Sequence, residues 1–198
     1  MKIRACHSHF NGLEYLLIQA PRLWKELQRI IDGADVDSRG LGQPETDSPK
    51  YSGARIGNAL LEGFQRRGWS ASGARQLGVV HGVQRNIRSA RDTVPDNRFG
   101  HMRSGFPQKS APRQVMKDRV AVEFRFEEGL ELALDFHSRS FALYADDMID
   151  VGVAVTPTRV LQSQMSPDLM CYDEKLEIVL ARQRRAPAVP LVLVGIEP

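Results

Sequence analysis

The chain has 198 residues, of which 42% are hydrophobic and 26% charged, with a formal net charge of +3. This balance excludes disordered and fibrous classes and fits a single globular domain with its own core. Cys6 and Cys171 stand far apart, which excludes a cysteine-built zinc site or a disulfide scaffold and points to free thiols. The first nine residues lack the apolar stretch of a signal peptide, and no apolar run approaches bilayer length. A soluble, cytoplasmic chain with no membrane partner is expected.

In chain order, residues 1–10 fit a short strand and Asn11-Gly12 a turn. Leu13, Leu16 and Leu17, then Leu23, Trp24, Leu27, Ile30 and Ile31, follow helical spacing. Pro21 divides that pattern into two helices and Gly33 stops the second. Residues 33–53, rich in Gly, Pro, Asp and Ser, read as a loop. A helix is predicted over 54–67, with Ile56, Leu60, Leu61 and Phe64 on one face. Residues 70–112 are weakly periodic, with a candidate strand at Leu77–Val83.

The pattern sharpens at Gln114. Two strands, 114–116 and 119–126, are predicted to meet in a tight hairpin at Lys117-Asp118. A helix follows over 130–144, then a buried β-branched strand over 149–155. Helices over 158–164 and 173–184 follow, the second with Leu176, Ile178, Val179 and Leu180 on its apolar face. Pro187 breaks that helix, and the last strand covers 189–196. Strands separated by helices need crossover connections, so the class is α/β with a mixed sheet flanked by helices. No internal repeat is visible, and the whole of 1–198 reads as one domain with a poorly legible basic middle at about 35–112.

Charge is unevenly spread. From Arg66 to Arg119 there are twelve Lys or Arg and only three acids, Asp92, Asp96 and Asp118. An Arg-rich segment suits a phosphate backbone. Arg85, Arg88, Arg91, Arg98, Arg103, Lys109 and Arg113 are the candidate nucleic-acid contacts. A solvated basic surface is the plainer alternative.

Several stretches, taken in order, carry a resemblance: "SHFNGLEYLL", "LWKELQRII", "VMKDRVAVEFRF", "DMIDVGVAVTP", "LQSQMS" and "APAVPLVLVGIEP". They resemble the BglII/BstYI-type restriction endonucleases over more than half of the chain, excluding about 35–110. The resemblance implies a PD-(D/E)xK nuclease core and Mg²⁺-dependent hydrolysis of DNA phosphodiesters. It also implies a homodimer on a short palindromic duplex site, within a restriction-modification role. That family carries an Asp on the first hairpin strand, a Glu about nine residues later, and a Gln, Glu or Lys two residues beyond. A hard cation held by such carboxylates lowers the pKa of bound water and polarises the phosphate.

Carried over, the three catalytic positions fall on Gln114, Glu123 and Arg125. Two depart from the pattern: Gln114 brings no charge, and Arg125 brings only donors. Glu123, Arg125 and Glu127 alternate onto one strand face. One reading has Arg125 pair with Glu123 and occupy the metal's space, leaving a catalytically silent DNA-binding homologue. The other rebuilds a metal site from Glu123, Glu127 and Glu14, the last in the "NGLE" segment. A basic α/β domain that binds RNA or a protein partner is the rival from another class.

Other residues have plainer roles. His7 and His9 are strand-spaced but lack a third ligand, and read as polar surface residues. His137 reads as half-buried on its helix. Arg139, flanked by Ser138 and Ser140, fits either a phosphate contact or a solvated helix face. Asp118 suits a turn, and Trp24 lies on a core stripe. Gly73, Gly78 and Gly82 lack the ending of a phosphate loop. No Ser, Cys and His spacing suggests a nucleophilic triad.

Overall fold

Among the described residues, six strands form one sheet in the order β1-β6-β5-β4-β3-β2. The computed structural model describes residues 1–34, 50–71, 113–124, 126, 131–166, 169–182 and 188–198. The strands are β1 (Lys2–His9), β2 (Ser70–Ala71), β3 (Arg113–Lys117), β4 (Val120–Phe124), β5 (Val151–Pro157) and β6 (Leu191–Glu197). The helices are α1 (Gly12–Ile18), α2 (Pro21–Asp32), α3 (Gly53–Arg66), α4 (Glu131–Ala145), α5 (Arg159–Gln162) and α6 (Tyr172–Arg182). Strands β4, β5 and β6 run parallel, while β1, β2 and β3 join antiparallel, so the sheet is mixed as expected. All described residues belong to one compact unit, Met1–Ala71 with Pro112–Pro198. The expected strand at Leu77–Val83 lies outside the described residues.

The parallel strands are apolar because both of their faces are covered. On one face, Val122, Phe124, Val153, Val155, Val192 and Val194 pack against Leu16 of α1, Leu27 and Ile31 of α2, and Leu60 and Phe64 of α3. Trp24 is buried in this layer, as its stripe predicted. Full burial of each such side chain stabilises by about 1.5–3 kcal/mol. The opposite face is smaller and less apolar. Ala121 meets Leu143 and Ile149 there, and Ala154 and Leu193 meet Phe136, Tyr172 and Leu176. Leu176 thus serves as expected, but Leu180 is exposed, as is Leu17 on α1. Gly12 is required where α1 meets β6: a Cβ there would lie 2.5 Å from the Leu191 carbonyl oxygen.

The β3–β4 turn differs by one residue from the expected position. It is made by Asp118 and Arg119, both in the left-handed region at φ 45° and 64°. Two such residues make the hairpin turn whose twist suits the flanking strands. Asp tolerates this conformation; Arg is poorly suited to it and is held there by tertiary contacts. The Arg119 guanidinium donates to Asp150 at 3.0 Å and to Asp147 at 2.6 Å. Lys117, expected in the turn, instead closes β3 and donates to Glu26 at 2.9 Å. The two-residue strand β2, which pairs with Val115 and Met116, was not anticipated.

Candidate active site on strand β4 and helix α4

Hairpin register places the central residues of the site. Gln114 stands directly opposite Glu123, so the two side chains share a sheet face. It is the face of Ala121, opposite to the one on which Val122 and Phe124 pack. Parallel pairing sets Glu123 beside Ala154 of β5. Both side chains are buried, Glu123 at 4% and Gln114 at 5% exposure.

Helix α4 crosses this face. Phe136, Arg139, Ser140 and Leu143 recur at helical spacing and turn towards the sheet, while Ser138 and Phe141 face outwards. Ser140 sits over Gly152, where an added Cβ would lie 2.8 Å from the Ser140 hydroxyl. One residue earlier on α4, Arg139 reaches Glu123. Its Nη2 donates to Oε1 at 2.6 Å and its Nε donates to Oε2 at 3.2 Å. This is a two-pronged, charge-assisted pair in a place with little water, its side chains 14% and 5% exposed.

Arg139 therefore corrects its sequence reading, because it points inwards and not at solvent. It is the only Lys or Arg in α4, and a lone buried carboxylate on an apolar strand demands a cation. That was the available signal. Arg125, expected to neutralise Glu123, and Glu127, expected as a further ligand, lie outside the described residues.

Glu14 is held elsewhere. Its carboxylate accepts from the Ser8 hydroxyl, and Ser8 in turn accepts from the Leu13 N–H at 3.1 Å. Ser8 pairs with Val192 in register, on the sheet face opposite Glu123. The Ser8 hydroxyl and the backbone N–H of Glu14 itself hold the Glu14 carboxyl below the usual carboxylate range. The structure thus gives Glu14 a role in starting α1 and does not bring it to Glu123. His9 is buried and meets the Phe10 ring edge-on at 4.4 Å, which corrects its reading as a surface residue. Asp118 serves the turn, as expected.

The fit to a divalent metal can be judged from the donors. Glu123 offers one carboxylate, already engaged by a guanidinium. Gln114 offers one neutral amide, whose Nε2 is buried with no hydrogen-bond partner among the described residues. No group of three or more His, Cys, Asp or Glu comes together among the described residues. Mg²⁺ prefers several hard, mostly anionic oxygens. As arranged, this donor set does not fit it.

The basic segment is largely outside view. Arg85, Arg88, Arg91, Arg98, Arg103 and Lys109 lie outside the described residues, as do Gly73, Gly78 and Gly82 and the side chains of Arg113 and His137. Three cations at the ends of that segment are already engaged: Arg66 with Glu62, Lys117 with Glu26, and Arg119 with Asp147 and Asp150. Cys6 and Cys171 are free, as expected. Among the described residues, no helix is long and apolar enough to cross a membrane.

Comparison with known proteins agrees with this fold. No curated protein matches the chain. The crystal structure of free BglII shares its fold with a TM-score of 0.60 at 14% identity, covering 100% of this chain and 80% of that one. Restriction endonuclease BglII complexed with a DNA 16-mer shares it with a TM-score of 0.62 at 16% identity, covering 100% and 78%. The family model for restriction endonuclease BglII/BglIII matches residues 4–196, nearly the whole chain, and the chain belongs to that family.

Proposed function

We propose that the protein binds double-stranded DNA in a sequence-specific manner, as a homodimer on a short palindromic site. The observation that carries this reading is the match of a restriction-endonuclease family model to residues 4–196. The fold shared with a BglII–DNA complex supports it. So does the basic run from Arg66 to Arg119, since arginine has the chemistry for phosphate contacts and bidentate guanine readout. The test is selection from a random duplex library in EDTA, with RNA as competitor. Enrichment of a palindrome, with affinity that falls steeply with salt, supports the reading. Equal retention of RNA, or no enriched sequence, sinks it in favour of an RNA- or protein-binding domain.

A second reading concerns catalysis. Family membership supports Mg²⁺-dependent phosphodiester hydrolysis, with Glu123, Gln114 and Arg125 at the catalytic positions. The buried Glu123–Arg139 pair favours the catalytically silent alternative, because it consumes the one carboxylate described there. Incubation with unmethylated DNA, first with Mg²⁺ and then with Mn²⁺, separates the two. Discrete cuts that vanish in Glu123→Ala establish an enzyme; intact DNA bound by folded protein establishes the silent form.

A further inference from the structure

Glu123 is met by a cation from within the fold. Among the described residues the charges there are one negative from Glu123, none from Gln114 and one positive from Arg139, so these described groups balance without any added ion. A divalent cation at Glu123 would have to break two charge-assisted hydrogen bonds, at 2.6 and 3.2 Å. It would also leave a guanidinium buried beside a dication, an arrangement of like charges that low-dielectric surroundings penalise. Arg139 has little freedom to withdraw. Its neighbour Ser140 is fully buried over Gly152, and Leu143, one turn on, is packed against Ala121 and Ile149. A rotation of α4 that freed Arg139 would unseat both.

We propose that Arg139 is the resident counter-ion of Glu123, filling the position a metal would need, and that it closes this site to divalent cations. DNA binding then proceeds without metal. The inference rests on the reading that Glu123 stands at the family's catalytic glutamate. It differs from the expectation placed on Arg125, since the cation comes from a helix across the sheet face and not from the same strand.

The test is Mn²⁺ titration of the full chain, followed by electron paramagnetic resonance, without DNA. Wild type and Glu123→Gln are expected to give superimposable isotherms. Arg139→Gln is expected to gain a Mn²⁺ site at least about tenfold tighter than any in wild type, the scale on which neighbouring groups tune metal affinity. That site disappears in the Glu123→Gln/Arg139→Gln double variant. A Glu123-dependent Mn²⁺ site in wild type overturns the proposal, as does a folded Arg139→Gln with no gain. If Arg139→Gln does not fold, the comparison of wild type with Glu123→Gln decides alone. Binding of wild type to selected duplex in EDTA is read separately, so a failure of DNA recognition is distinguishable from a failure of the counter-ion assignment.

Discussion

Removing one partner of the Glu123–Arg139 pair is the most informative perturbation of stability. Arg139→Met keeps the length and apolar stem of the side chain but leaves the Glu123 carboxylate buried at 4% exposure without this guanidinium. Loss of one member of a buried, hydrogen-bonded ion pair costs about 3–5 kcal/mol, most of it the penalty of an uncompensated charge. For a chain of this size that is a fall in Tm of roughly 6–20 °C. Glu123→Gln should cost similarly, because it removes the carboxylate that holds the guanidinium by two hydrogen bonds. The double variant Glu123→Gln/Arg139→Met removes both charges and should recover much of the loss, giving a coupling of at least about 2 kcal/mol. Urea denaturation at pH 7, with fluorescence and circular dichroism followed together, measures all four proteins. Single variants within about 1 kcal/mol of wild type, with additive effects in the double, would refute the reasoning; such values belong to solvent-exposed pairs.

Three further outcomes follow from packing and charge. The Arg119 guanidinium, with the Tyr15 hydroxyl, holds the Asp150 carboxyl below the usual carboxylate range despite partial burial. The unfolded chain therefore binds more protons near its free carboxyl pKa, and this contribution to stability is present above about pH 4 and lost below it. Asp150→Asn should lower Tm at pH 7, and the gap from wild type should narrow on acidification; a gap that widens contradicts the sign. Gly12→Ala would push a methyl against the Leu191 backbone and should cost about 1–3 kcal/mol in chemical denaturation, whereas a neutral result would mean α1 shifts freely on β6. The Ser140 hydroxyl is buried without a hydrogen-bond partner among the described residues, so Ser140→Ala should change stability by less than about 1 kcal/mol and in the favourable direction. A large loss in the same denaturation assay would reveal a partner for that hydroxyl.

The fold was legible where one physical demand dominated a segment. Strands β5 and β6 are runs of β-branched residues because both faces are covered, and α2 is written in the spacing of Leu23, Trp24, Leu27, Ile30 and Ile31. The Gln114–Glu123 juxtaposition was not legible in the hairpin pattern: a turn at Lys117-Asp118 would set Gln114 opposite Ala121, and the shift of the turn to Asp118-Arg119 sets it opposite Glu123. What escaped is what depends on contacts between layers. Arg119 occupies the left-handed turn position because Asp147 and Asp150 hold it there, and nothing local to Lys117-Asp118-Arg119 reveals that. His9 is polar yet buried, since the neighbours that enclose it come from elsewhere in the chain. Arg139 sits on a helix with apolar residues on several sides, so its inward direction could not be read from periodicity. Strand β2, two residues long, leaves no pattern to read.

The pairing of β1 with β6 governs how the molecule can be made. Strand β1 precedes every other described strand and sits at the edge of the described sheet, and its neighbour is the strand that follows every other element described. The sheet's interior, β5 against β6, also waits for that last segment. Contacts this distant in sequence slow folding. Until β6 emerges, β1 remains an unpaired edge, the kind of segment that recruits foreign strands. Its alternation of Lys2 and Arg4 with less exposed residues, and the bulge between Ile3 and Ala5, make it a poor template during that interval. Nascent chains stalled before Leu191 should therefore depend on chaperones, while released chains should not.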